Sequence, residues 1–423
     1  MVISEQIQEF LLNDALERFL RYVKVWSSSD DAIETVPSTK TQLEFGKLLV
    51  EELKQLGLDS IVQDDLGFVY AYLPPSKGCE HVKKIGFIAH LDTASVVSGK
   101  DVKPVIHRNF NGQEIRFTQN KDLTLDFNDS PNLKNYVGLD IVTSQGLTLL
   151  GADDKAGIAE IMAACAAWKK YSELRHGPIT ICFSPDEETG KGIILKVDKE
   201  KLPKICYTID GGEMGELEYE CFDAWSATFD FKGLSMHTGY AKNLMINAIH
   251  IACRFFSELP EFESPERTEE REGFFHLSNL QGTAEETTAG VIIRDYDLKG
   301  NQRRMNYLKA LKNLYEIRYP GLKIHLNFEH QYENMLRYIE KEGKIIGLAK
   351  KAIELAGLEV KVHSIRGGTD GALLSTKGIP TPNIFTGGLL AHSRKEYIPT
   401  VALQKAAEVI LCLAELWTKE KKK

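Results

Sequence analysis

The 423-residue sequence predicts an α/β fold, a mixed sheet flanked by helices, with a smaller α+β domain of ferredoxin-like order inserted into it. Three observations predict this. Short apolar runs such as "KKIGFIAH", "PITICFS" and "KICYTID" alternate with helical stretches, as in a parallel or mixed sheet covered on both faces. Near residue 222 the texture changes to longer alternating strands and two helices, in β-α-β-β-α-β order, and from about 335 the α/β texture returns. The chain is also too long for one ordinary core. The expected division is therefore 1–221 and 334–423 as two parts of one domain, with 222–333 as the insert.

The elements follow in order. "MVISEQIQEFLLNDALERFLRYV" is a mixed-charge amphipathic helix with no long apolar core, neither a signal peptide nor a membrane span. In "PSTKTQLEFGKLLVEELKQLG", Ser38 or Thr39 can cap a helix whose apolar face is Leu49, Val50, Leu53 and Leu56, and Gly57 ends it. "SIVQ" and "FVYAYLP" read as strands, and "KKIGFIAH" as a buried strand ending at His90. Residues 101–140 are polar and turn-rich, an excursion from the core. "AGIAEIMAACAAWKKY" is helical by alanine content and spacing. In the insert, "FDAWSATFDFKG" alternates like a half-exposed antiparallel strand, "NLMINAIHIACRFFSEL" is helical, "GFFHLSNLQGTAEETTAGVIIRDYD" holds two or three strands, and "NQRRMNYLKALKNLYEIRY" is a long helix. "VALQKAAEVILCLAELW" is the last helix, and the terminal "KEKKK" reads as its solvated end.

Composition narrows the function. A formal charge of −8 lacks the basic excess of a nucleic-acid binder, and no stretch suits a membrane. Seven scattered cysteines without CxxC spacing fit reduced thiols in the cytoplasm, not a disulfide framework or a thiolate zinc site. "GLSMH" lacks the last glycine of a nucleophile elbow, and "RGGTDG" lacks the lysine of a phosphate loop.

The residues that carry chemistry sit where predicted strands end. His90 and Asp92 follow "IGFIA", Asp153 precedes the alanine-rich helix, Glu187 and Glu188 follow "ICFSP", Asp210 ends "CYTI", and His392 follows "NIFTGGLLA". Ligands of α/β sheets gather at the carboxyl ends of strands. Two histidines and three carboxylates can hold two divalent ions if one carboxylate bridges. Such a donor set suits zinc, with manganese or cobalt as substitutes. Paired ions acidify a shared water and polarise a carbonyl, so a free carboxylate must take the proton; in Glu187-Glu188 one can ligate while its neighbour is the base. Asp92 can hold the second N–H of His90.

"HLDTA", "LLGADDKAGIAEIM", "FSPDEETGKG", "TIDGGEMGELEYE" and "IRGGTDGALLSTKGIPTPNIFTGG" resemble the M20 family of dinuclear zinc peptidases, in its branch of tripeptide aminopeptidases. The resemblance runs from about residue 35 to the last helix. It implies a zinc-peptidase catalytic domain with the insert as a lid, and two zinc ions per chain. His90 and Asp210 would hold one ion, Glu188 and His392 the other, with Asp153 between them, Glu187 as base and Asp92 behind His90. It further implies a cis peptide bond between Asp153 and Asp154. In the lid it implies His237 at the oxyanion and Arg294 on the substrate's terminal carboxylate, with Asn247, Asn334 and the loop from Arg366 lining the cleft. The implied partner is a short peptide, and the sequence leaves the oligomer open, a homodimer included. Rival readings are an M20 dipeptidase, carboxypeptidase or N-acyl-amino-acid deacylase, and, from another class, a non-catalytic metal- or peptide-binding protein. Two stretches depart from the family pattern. His237-Thr238 replaces His-Pro, and "LLAHSRKE" replaces a run with an aromatic residue and Asn-Tyr-His-Gly-Lys-His.

Overall fold

A computed structural model describes residues 3–420, so residues 421–423 of the terminal "KEKKK" lie outside the described residues. In chain order its principal elements are α1 (Glu5–Tyr22), α2 (Lys40–Leu56), β1 (Asp59–Gln63), β2 (Val69–Leu73), β3 (Ile85–His90), α3 (Ala152–Lys170), β4 (Ile179–Ser184), β5 (Cys206–Gly211) and β6 (Glu216–Cys221). Then come β7 (Asp223–Lys232), α4 (Ala248–Phe256), β8 (Phe274–Gly282), β9 (Glu286–Asp295), α5 (Leu298–Arg318) and β10 (Lys323–Tyr332). The last are α6 (Ile345–Leu355), β11 (Lys361–Ile365), α7 (Asp370–Thr376), β12 (Asn383–Phe385) and α8 (Thr400–Thr418). The chain divides into two compact units, 1–219 with 337–363 and 369–423, and 220–336 with 364–368. The short run 364–368 thus groups with the second unit although its neighbours on both sides belong to the first.

The first unit is built on an eight-stranded mixed sheet in the order β1-β2-β4-β3-β5-β12-β6-β11. β4, β3, β5 and β12 run parallel, so their carboxyl ends lie along one edge of the sheet. β3 and β4 are buried throughout, which is why both read as unbroken apolar runs rather than alternations. α3 packs against α1 and α8 and is buried from Ala156 to Trp168; its alanines let the neighbouring helices come close. Gly57, at φ 77°, ends α2 in the left-handed conformation that glycine adopts freely. Thr39 sits at the cap position of α2 without capping a backbone amide of the helix; Ser38 instead binds Asp186, its Oγ 2.5 Å and its N 2.7 Å from the carboxylate. The excursion at 101–140 has an apolar cluster of its own, including Phe110, Phe117, Leu133 and Tyr136 packed with Tyr397.

The second unit is an antiparallel sheet in the order β8-β9-β7-β10, with α4 and α5 supplying the crossovers of a β-α-β-β-α-β chain. β7 lies between two partners, and its inward residues Ala227, Phe229 and Phe231 join Phe255 and Phe256 of α4 in one core. Asn247 caps α4 by accepting the His250 amide at 3.1 Å.

One buried group costs the first unit stability. Glu160 of α3 is fully buried, and neither carboxylate oxygen has a hydrogen-bond partner among the described residues. Burial pushes its carboxyl far above the ordinary range. The folded state therefore keeps a proton that the unfolded chain releases above about pH 4.3, and stability falls as pH rises through that window. Glu160→Met is expected to raise unfolding free energy by roughly 1–3 kcal/mol at neutral pH, the cost of an unmade buried polar contact. The advantage should widen between about pH 5 and 8. Denaturant titrations of both proteins at these two pH values measure it; an advantage that does not change with pH contradicts a buried protonated carboxyl.

Candidate metal centre

The parallel strands set the site. β3 ends on His90, β5 carries Asp210, β4 leads after Ser184 to Glu187 and Glu188, and the loop beyond β12 brings in His392. Asp153 stands at the start of α3, where its φ/ψ of −84° and 103° depart from helix. The Asp153–Asp154 peptide bond is cis, as the family resemblance implies.

These side chains converge. Asp153 Oδ1 lies 2.8 Å from His90 Nε2, and Asp210 Oδ1 lies 3.5 Å from the same nitrogen. Asp153 Oδ2 lies 3.1 Å from His392 Nε2, and Glu188 Oε2 lies 2.9 Å from it. One carboxylate thus presents an oxygen to each of two histidines, each of which meets a second carboxylate. Ligand atoms of His90, Asp153 and Glu188, and of His90, Asp154 and Asp210, fall within 4.8 Å of one another. Glu188 Oε1 is buried without a hydrogen-bond partner among the described residues. Nitrogen and oxygen donors, an excess of acid and an orphaned buried carboxylate oxygen are the chemistry of a metal site.

A set of supporting contacts holds the donors. Asp92 accepts the amides of Glu187 and Glu188 at 3.0 and 3.2 Å and faces His90 Nδ1 at 3.4 Å. Asp154 accepts the His90 amide at 3.0 Å and the Gly157 amide at 3.2 Å, so it ties β3 to α3. Glu396 accepts the amides of Leu150, Gly151 and Asp153 at 2.7, 2.8 and 3.1 Å. Asp370, at the start of α7, accepts the Ser184 hydroxyl at 2.5 Å. Glu396 and Asp370 carry no sequence signal as isolated residues, because each acts on residues more than a hundred positions away.

Charge in this dry cluster is finely divided. Burial, with the Asp153 charge, pushes the Glu188 carboxyl up to about 7. Burial and the charges of Asp210, Asp370 and Glu188 push Glu187 well above its usual range. Against burial, the hydrogen bonds of His392 and His90 hold Asp153 below the ordinary carboxylate range. Contacts with Asp153 and Glu188 push His392 up to about 11.

The remaining sequence-predicted residues all belong to the second unit. His237 is exposed and accepts the Gly239 amide through Nδ1 at 3.1 Å, capping a single turn. Arg294, on β9, donates to the carbonyls of Trp225 and Ile293 at 3.0 Å each and to Gln331 at 2.9 Å. Asn334 is buried; it donates to Glu220 and to the Tyr296 carbonyl, both at 3.2 Å, and accepts the Leu336 amide at 3.0 Å. Arg366 donates to the carbonyls of Thr268, Glu270 and Glu272 and lies over the rings of Phe222 and Phe274. Asn334 and Arg366 thus have direct work within the second unit, which the sequence could not reveal.

Residues 150–416 match the model of peptidase family M20/M25/M40. The chain belongs to that family. The chain is 44% identical, over 97% of its length and 100% of the relative's, to a peptidase T of Caldanaerobacter subterraneus subsp. tengcongensis. Among solved structures, the aminopeptidase PepT from Bacillus cereus matches with a TM-score of 0.76 at 22% identity, over 97% of this chain and 99% of that one. A tripeptidase from Staphylococcus aureus matches with a TM-score of 0.76 at 20% identity and the same coverage. In this M20 peptidase the donor cluster and its supports all lie within the matched residues except His90 and Asp92.

Glu396 touches Asp153 only through the backbone, which makes it a positioning residue. Glu396→Gln is expected to weaken metal affinity about 10–100-fold, as loss of an outer contact to a ligand does, while the fold survives. Competition with a chromophoric chelator measures this; unchanged affinity means the Asp153 loop holds its place without Glu396.

Proposed function

We propose that the protein is a cytoplasmic dinuclear zinc aminopeptidase that releases the N-terminal residue of tripeptides. The observation that carries the reading is Asp153, with one oxygen toward the His90–Asp210 pair and the other toward the His392–Glu188 pair. A bridging carboxylate between two imidazole–carboxylate pairs suits two zinc ions, and manganese or cobalt could take the same donors. The substrate class is supported by the relative named peptidase T and the structural neighbour named a tripeptidase. The free thiols, six of the seven buried, support a reducing compartment. Among the described residues no helix is long and apolar enough to cross a membrane.

When bound, such a metal pair lowers the pKa of a water and polarises the scissile carbonyl. The residues supply the rest. Glu187, next to the ligand Glu188 and held by Asp92 through its amide, is placed to take the proton of the attacking water and return it to the leaving amine. Asp92 fixes the orientation of the His90 ring. In the second unit, His237 supplies a donor for the oxyanion and Arg294 a planar, permanently charged grip for the terminal carboxylate of the peptide.

Hydrolysis of free and N-acetylated tri- and dipeptides with added zinc, manganese or cobalt tests the activity. Cleavage of acetylated but not free peptides replaces the reading with a deacylase. Glu187→Gln should keep its metal by elemental analysis and lose turnover by roughly 10²–10⁴-fold; activity within a few-fold of wild type removes Glu187 as the base. Arg294→Ala should cost about 1.5–3 kcal/mol in kcat/KM for a tripeptide acid. A C-terminally amidated tripeptide should be a poor substrate for wild type and little worse for the variant. Equal cleavage of acid and amide by wild type denies Arg294 the carboxylate.

A further inference from the structure

Glu187 and Glu188 are neighbours with different tasks, and the backbone beneath them decides which carboxylate goes where. Glu188 reaches His392, at 2.9 Å. The residue before the pair, Asp186, has a φ of 54°, the left-handed region that residues with a side chain rarely enter. Such a conformation persists only where the surroundings enforce it, and it collects at active sites.

The surroundings that enforce it are specific. Asp186 is fully buried, and its carboxylate accepts the Ser38 amide at 2.7 Å, the Ser38 hydroxyl at 2.5 Å and Gln42 Nε2 at 2.7 Å. Its own amide donates to Gln42 Oε1 at 3.0 Å. Gln42, in the first turn of α2, is buried as completely, and its side-chain amide meets an acceptor and a donor of one residue at once. Behind the turn, the Asp186 carbonyl accepts the amides of Lys191 and Gly192 at 3.2 and 3.3 Å. A Cβ on Gly192 would meet the Pro185 carbonyl oxygen at 1.8 Å, so the loop closes only with glycine there.

The segment that supplies Ser38 and Gln42 also backs the loop of Asp92. The Ser27 hydroxyl donates to the Leu91 carbonyl at 2.7 Å, and the Ser29 amide to the Thr93 carbonyl at 3.1 Å. The Thr39 hydroxyl donates to the Ser28 carbonyl at 2.8 Å and so joins the two ends of the segment. Residues 27–42 are therefore a strap behind both supports of the glutamate pair: Asp92, which grips their amides, and Asp186, which precedes them.

We infer that Asp186 is a positioning residue for the reaction: locked by Ser38 and Gln42, it fixes the backbone from which Glu187 reaches the attacking water while Glu188 faces His392. The inference rests on the reading of Glu187 as the base. Asp186, Ser38 and Gln42 are all buried, so loss of the lock misaims the base without removing a contact to the peptide.

A kinetic double-mutant cycle tests it. On a tripeptide, Asp186→Ala should lower kcat about tenfold or more, as misplacement of a catalytic group does, with KM within about threefold of wild type and metal content by elemental analysis unchanged. In the Glu187→Gln background the same change should cost less than about threefold, because groups that act as a unit are not additive. A purely structural role gives the same factor in both backgrounds, and that result overturns the inference, as does a kcat for Asp186→Ala within about twofold of wild type. Gln42→Ala removes two of the four bonds that Asp186 makes to Ser38 and Gln42, and the same cycle reads it if Asp186→Ala does not fold. A Glu187→Gln single variant with wild-type activity overturns the base reading instead, so the two failures are distinguishable.

Discussion

Asp153 is the constraint on which the first unit's design depends. Its two oxygens face two histidines brought from sequence positions 90 and 392, and each histidine faces a further carboxylate. Three acids at such close range repel one another, and burial raises the cost of their charge. Positive charge between them resolves the conflict. The raised affinity of His90 and His392 for protons is one expression of it, and the metal ions proposed for these imidazole–carboxylate pairs would supply positive charge in the same place. Everything near the cluster serves to hold the acids in place against their repulsion. Glu396 grips the loop of Asp153 by three amides, Asp92 grips the loop of Glu187 and Glu188 by two, and Asp154 joins β3 to α3.

The sheet explains why these residues could be found at all. Four parallel strands end along one edge, so residues that close an apolar run in the sequence meet in space. That made His90, Glu187, Glu188 and Asp210 legible as strand-end residues, and the α/β texture legible as alternation of buried runs and helices. The β-α-β-β-α-β order of the second unit was legible for a similar reason, because β7 and β9 keep a period of two along one buried face. Contacts that depend on distant partners were not legible. Glu396 looks like any charged loop residue, and Asp370 is marked only by its glycine-rich surroundings. Ser38 reads as a helix cap, yet its hydroxyl binds Asp186, 148 positions along the chain. Asn334 and Arg366 read as cleft residues, while their donors meet Glu220, Tyr296 and the carbonyls at 268–272 inside the second unit.

The site residues differ in how the fold holds them. His90 and Asp210 stand at strand ends, whose positions the sheet fixes. His392 stands on a loop, 389–397, closed by the Leu389–Tyr397 bridge and bent through two left-handed residues. Loops tolerate replacement more readily than strand ends do, so the departure of "LLAHSRKE" from the family pattern can alter what is cut while leaving His392 where the second imidazole is needed.

The account stands on two metal ions sharing Asp153, and crystallography at the zinc absorption edge tests it most directly. Crystals of zinc-loaded protein should give two anomalous peaks about 3.5–4 Å apart, one beside His90 and Asp210, the other beside His392 and Glu188, with the Asp153 carboxylate between them. A single peak under zinc-replete conditions, or two peaks with Asp153 turned away from either, would contradict it.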